Sequence, residues 1–259
     1  MNRIQELFST KKDSILNIYF TAGYPTLNST VPIIQSLSEA GVDIIEIGIP
    51  YSDPLADGPT IQDSGSKALQ NGMTLEILFH QVKEARQHTQ IPFILMGYFN
   101  QMMQYGIDAF LQKAKESGVD GLIIPDLPME VYETEYQSKF ESQDIGITFL
   151  VTPQSGPERI QKAAELSKNS FLYVISKASI TGATGNITDQ QKLYFDQVNG
   201  LKGGTPSLIG FGIHDHATFR TACESSNGAI IGSAFIRYLG GEGESTKLVQ
   251  GFVDGVRKG

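Results

Sequence analysis

Eight apolar runs rich in β-branched residues recur along the chain, separated by stretches whose apolar positions repeat at helical spacing. The runs are ILNIYFTAG (15–23), DIIEIGIP (43–50), PFILMGYF (92–99), GLIIPD (121–126), ITFLVTP (147–153), FLYVIS (171–176), SLIGFGI (207–213) and AIIGSAF (229–235). Between them lie amphipathic segments such as TVPIIQSLSEAG, LEILFHQVKEARQ, IDAFLQKAKESG and PERIQKAAELSK, and TKLVQGFVDGVRK follows the eighth run. Each strand-plus-helix unit takes about 30 residues, the length of a parallel crossover. Eight such units in 259 residues predict an α/β chain folded as a single (β/α)8 TIM barrel domain over residues 1–259. The opening segment MNRIQELFSTKKDS is amphipathic and predicts an extra N-terminal helix. A doubly wound open sheet would carry a glycine-rich turn after its first strand. TAGYPTLNST holds no such turn, and no composition break marks a second domain.

Composition narrows the class. With 40% hydrophobic residues the chain can bury a full core, and a net charge of -8 argues against nucleic acid, which needs a basic footprint. No apolar run reaches the roughly 18–20 residues of a membrane helix, and the N-terminus lacks the apolar core of a secretory signal. The lone cysteine, Cys223, excludes an internal disulfide, fits a reducing cytoplasm and reads as a small buried filler on a helix.

The second run carries an anomaly. Side chains alternate along a strand, so Ile45, Ile47 and Ile49 share the face suited to the surrounding helices, while Ile44, Glu46 and Gly48 face the lumen. Glu46 therefore points inward near the C-terminal end of its strand, where barrel active sites gather. A buried carboxylate has a raised pKa, which suits a group that both takes and gives a proton near neutral pH. The structural alternative is a network of lumen polar groups, with Asn17, Tyr19 and Thr21 as partners if those alternate inward. The loop that follows, YSDPLADGP, adds Asp53 and Asp57. Either Asp alone reads equally well as turn chemistry, but a second carboxylate above Glu46 has a position from which to close over a ligand. The stretches 51–60 and 177–188 are the longest irregular ones, and long loops in a compact domain are commonly functional.

Three glycine-containing strand ends, SITGATG (179–185), GFGI (210–213) and IIGSAF (230–235), lie where barrels bind phosphate through backbone N–H groups. Gly232 and Ser233 would start a short helix, with Lys177 and Arg237 as the nearby cations. No metal constellation is visible, and His80, His88, His214 and His216 read as helical or helix-starting surface groups. The residues alone thus predict a barrel that binds a small phosphorylated molecule and performs acid/base chemistry with one rigid and one mobile carboxylate.

EIGIPYSDPLADGPTIQ resembles the signature of the tryptophan synthase alpha-subunit family. TAGYP, LMGYFNQMMQYG, IIPDLP, SITGATG, GFGI and IIGSAF follow the same resemblance in order, over essentially the whole chain. The resemblance implies retro-aldol cleavage of indole-3-glycerol phosphate to indole and glyceraldehyde 3-phosphate. It implies Glu46 as general acid/base, Asp57 as second catalytic carboxylate and Tyr173 as active-site tyrosine. Thr181 would contact Asp57 on loop closure, and Gly182, Gly212, Gly232 and Ser233 would hold the phosphate. Phe20, Ile61 and Phe211 are candidates for the indole pocket by position, each with an ordinary core role as alternative. Asp53, Tyr98 and Asn100 match positions toward the family's partner, a pyridoxal-phosphate beta subunit in an αββα complex, while the alpha chain itself carries no cofactor or metal.

The sequence departs from the family's usual pattern at Lys177 and Ser179, where many members carry arginine and glycine. Both changes bear on loop closure rather than on the chemistry. Two other readings stand beside the lyase. A phosphoribosyl-sugar isomerase of the same barrel type would typically show an Asp ending its first and fifth strands, where this chain has FTAGYP and LVTPQSG. A weakly active barrel that mainly switches on a beta subunit is the other.

Overall fold

All eight apolar runs fold as parallel strands, and the sheet they form closes on itself. The computed structural model describes residues 1–54, 57–175, 188–210, 212–241 and 245–259. Nine strand segments lie in the order β5-β4-β3-β2-β1-β9-β8-β7-β6. They are β1 (Ile15–Thr21), β2 (Ile44–Gly48), β3 (Phe93–Met96), β4 (Gly121–Ile123), β5 (Gly146–Thr148), β6 (Leu150–Val151), β7 (Leu172–Ile175), β8 (Ser207–Gly210) and β9 (Gly228–Ile231). The ends of that row, β5 and β6, are one continuous stretch of chain broken only at Phe149. Phe149 bridges the break: its carbonyl accepts from the Tyr173 amide at 3.0 Å and its own amide donates to Ser167 Oγ at 2.9 Å. The fifth predicted strand is thus two hydrogen-bonded pieces, one on each neighbour.

Strand alternation sorts the core into two clusters. Leu16, Ile18, Phe20, Ile45, Ile47 and Ile49 pack outward with the helices in the larger one. Ile15, Ile44, Ile94, Ile123, Phe171, Leu208 and Ile230 fill the lumen in the smaller one, joined by Ile4 and Phe8. The last two belong to the N-terminal helix α1 (Arg3–Thr10), which plugs the barrel floor. A capping box at Asn2 starts α1, and Asn2 Nδ2 also donates to the Asn169 carbonyl at 3.0 Å. Arg3 pairs with Asp120 at 2.9 Å, and Lys11 with Asp43 at 2.7 Å, so charge as well as burial anchors the plug.

The mouth is built differently. Helix α2 (Thr30–Glu39) follows β1, and the loop after β2 leads into α3 (Pro59–Gln70). After α4 (Leu75–Arg86), strand β3 runs almost directly into the short α5 (Phe99–Tyr105). The eighth run stops as a strand at Ile231, and Ala234 and Phe235 belong instead to a helix, Ser233–Leu239. Short apolar runs do not distinguish strand from buried helix by periodicity, which is why that run reads too long in the sequence.

Candidate active site

β2 holds Glu46 in the lumen, 1% exposed, beside Tyr19 in the register of the neighbouring strand. One of its oxygens, Oε2, accepts from Asn17 Nδ2 at 2.9 Å. Burial pushes the Glu46 carboxyl up to about 8; the Asn17 bond opposes that shift and the negative charge of Asp57 adds to it. Among the described residues no ion pair reaches Glu46, so this carboxyl is left poised between its two forms near neutral pH.

Asp57 lies on the loop above. The Tyr98 hydroxyl donates to its Oδ2 at 3.1 Å, and Gln62 Nε2 donates to its main-chain carbonyl at 2.7 Å. Its pKa also rises, from burial, with the Tyr98 bond acting against the rise. Two carboxyls whose proton affinities are raised, one fixed on a strand and one on a loop, can hand protons to a ligand between them.

Tyrosines wall this space. Tyr173 on β7 is 6% exposed, and its hydroxyl is held far above its usual pKa by burial and then by the charges of Glu46, Tyr19 and Asp57. Tyr19 is pushed up in the same way, by burial first and Asp57 next. Its hydroxyl sits so close over Gly48 that any Cβ there would overlap it, which explains a glycine one lumen position above Glu46. The Tyr19 ring also edges Gly232, the residue before helix Ser233–Leu239.

The structure therefore brings Glu46, Asp57 and Tyr173 together, and corrects one other assignment. Phe20 does not face the lumen: it is 0% exposed and packs outward with Leu16 and Ile18, because the odd-numbered positions of β1 point inward. Tyr19 is the aromatic of that strand beside Glu46, and the inward parity of Asn17 and Thr21 is the sequence signal that identifies it. Tyr98, matched by resemblance to the partner side, is only 6% exposed and turns its hydroxyl onto Asp57. That contact joins residues 41 apart and leaves no local signature.

Ile61 is half-buried in the first turn of α3 and packs into neither core cluster. The neighbouring Ser64 hydroxyl meets that of Thr21 at 2.7 Å, tying this helix to β1. Gly212, just past β8, has a φ of +82°, a left-handed conformation that favours glycine. Ser233 opens the short helix at the mouth, and Arg237 within it reaches Thr60 Oγ1 at 3.3 Å. Asp53 and Asn100 are exposed; Asn100 donates to the Tyr51 hydroxyl at 2.9 Å, and the Tyr51 ring lies 5.1 Å from that of Tyr98. Thr181, Gly182 and Phe211, together with Lys177 and Ser179, lie outside the described residues.

The family model described as tryptophan synthase alpha chain matches residues 6–253. The tryptophan synthase alpha chain of Flavobacterium johnsoniae is 51% identical over 258 residues, 99% of this chain and 100% of that protein. Among solved structures, a chain of Mycobacterium tuberculosis tryptophan synthase superposes with a TM-score of 0.87 at 30% identity, covering 98% of this chain and 96% of its own. A chain of the tryptophan synthase complex of Pyrococcus furiosus gives 0.86 at 32% identity, with 95% and 98% covered.

Proposed function

The chain belongs to the tryptophan synthase alpha chain family, and on that premise we propose how its residues divide the work of the reaction. The reaction itself is that of a carbon–carbon lyase of tryptophan biosynthesis. Indole-3-glycerol phosphate is cleaved to indole and glyceraldehyde 3-phosphate, and the indole passes to the beta subunit.

Glu46 takes the proton of the glycerol C3′ hydroxyl and helps deliver a proton to indole C3. Protonation at C3 gives the indolenine tautomer. As the hydroxyl oxygen loses its proton and becomes the aldehyde oxygen, the carbon–carbon bond breaks and its electron pair returns to the ring. Asp57 accepts the hydrogen of indole N1 and stabilises the positive charge that develops there. Tyr173 and Tyr19, whose hydroxyls stay protonated, wall the indole together with Ile61 and Phe211. Backbone groups at Gly182, Gly212, Gly232 and Ser233 hold the phosphate, and Thr181 meets Asp57 when the loops close. Asp53 and Asn100 face the beta subunit in an αββα assembly. The pyridoxal phosphate belongs to that partner, and the assembly works in the cytoplasm.

One observation carries this division: a 1%-exposed strand carboxyl, raised to about 8, shares a tyrosine-walled lumen with a second carboxyl on a loop. The test is indole release from indole-3-glycerol phosphate, with and without beta subunit, for the wild type and Glu46→Gln. Glutamine keeps the shape and cannot shuttle a proton, so a loss of roughly 10²-fold or more is expected in both conditions. Retention of activity in Glu46→Gln removes Glu46 from the chemistry.

A further inference from the structure

Among the described residues, the polar side chain that hydrogen-bonds Glu46 has no part in this chemistry so far. Asn17 lies on β1 opposite Ile44, one lumen layer beneath Glu46, and is 0% exposed. Below and around it the lumen is apolar, with Ile15, Ile44 and Ile230 in the floor cluster. A buried amide in such surroundings is costly unless both of its ends are satisfied. Only one is: Nδ2 donates to Glu46 Oε2 at 2.9 Å, while Oδ1 is fully buried with no hydrogen-bond partner.

A proton shuttle passes through two forms with opposite needs. As a carboxylate it only accepts hydrogen bonds; as a carboxylic acid it must also donate one. We infer that Asn17 is a positioning residue that holds the Glu46 carboxyl in both protonation states. It donates through Nδ2 to the carboxylate and, after a half-turn of the amide, accepts through Oδ1 from the carboxylic acid. The acceptor left over in the ionised state is the one required when Glu46 has taken the substrate's proton. No proton passes through Asn17 itself. An amide does this where an apolar residue of the same size cannot, because it alone offers a donor and an acceptor on one rotatable plane.

The inference rests on Glu46 being the proton shuttle. The other titratable groups facing Glu46 are Asp57, Tyr19 and Tyr173, all acids, so the Asn17 N–H is the group that favours the ionised form from the strand side. Asn17→Leu keeps the volume and removes both hydrogen-bonding ends. Its kcat is expected to fall about 10-fold with KM within twofold of wild type. The acid limb of its kcat/KM profile should move to higher pH by at least half a unit, because of the two bonds lost the charge-assisted one to the carboxylate is the stronger. Asn17→Ser, which is too short to reach Glu46 and leaves the strand unstrained, should show the same displacement and decides the matter should the leucine variant not fold. Asn17→Gln, which keeps the amide, should recover part of the wild-type profile. Profiles of the leucine or serine variant that overlie that of the wild type overturn the inference. Glu46→Gln is measured alongside: if it is inactive while the Asn17 variants match wild type, only this inference falls, and if it is active, the reading of Glu46 beneath it falls as well.

Discussion

Glu46 is held at a cost to the fold, and the cost has a pH signature. Its folded pKa of about 8 stands above the ordinary value of 4.5, so the folded state binds the proton more tightly than the unfolded chain. The penalty is absent below about pH 4.5, grows between the two values and is complete above about pH 8. Glu46→Gln should therefore be more stable than wild type at pH 8–9, by about 4–5 kcal/mol, and equal to it near pH 4. Denaturant midpoints at the two pH values check this; a difference that does not change with pH would mean the carboxyl is not desolvated. The same pKa predicts that kcat/KM of the wild type rises with pH through a midpoint near 8, since the base must be ionised to accept the hydroxyl proton. At this scale the sequence was legible where alternation speaks: an acid among isoleucines on β2 points inward and needs a reason. It was equally legible for Tyr19, whose neighbours Asn17 and Thr21 share its parity, although the resemblance draws attention to Phe20 instead. The Tyr98–Asp57 bond was not legible, because it depends on how a loop folds over a distant strand end.

Among the elements, α1 shows how a barrel floor is sealed without touching the chemistry. Ile4 is 0% exposed and inserts into the lumen cluster so tightly that a Cβ on Gly121 would come within 2.8 Å of its Cδ1. Phe8 lies 6.0 Å from Phe171 between ring centres. Ile4→Ala should therefore cost about 2–4 kcal/mol, read as a lower denaturation midpoint, while kcat of the folded protein stays within about twofold of wild type. A large loss of kcat at full folding would show that the plug also shapes the site. The amphipathic pattern of MNRIQELFST announced this helix, but not that its apolar face enters the barrel, since a stripe specifies burial and not its address. The division of the fifth strand at Phe149 was hidden for a related reason. ITFLVTP reads as one unbroken strand run, and only closure of the ring decides which half pairs with β4 and which with β7.

Across the whole molecule, stability and chemistry sit at opposite ends of the barrel. The ion pairs of Asp43 and Asp120 tie the floor, whereas the carboxyls of the mouth are left without cations among the described residues. From the mouth a line of contacts reaches the surface: Asp57 to Tyr98, the Tyr98 ring to Tyr51, and the Tyr51 hydroxyl to the exposed Asn100. Three residues on, in the same helix α5, Met103 is 50% exposed, an apolar side chain beside a polar one in the manner of a protein interface. A beta subunit seated here would press on Tyr51 through Asn100 and so on the ring that orients Tyr98 toward Asp57. Asn100→Ala should then weaken beta binding by up to about 10-fold, near 1.4 kcal/mol, and, where beta raises indole release, cut that gain at saturating beta several-fold. Titrating beta against indole release separates the two effects. A shifted midpoint with an unchanged plateau means that Asn100 serves attachment alone, a lowered plateau means that the contact line carries the stimulation, and an unchanged curve removes this face from the interface.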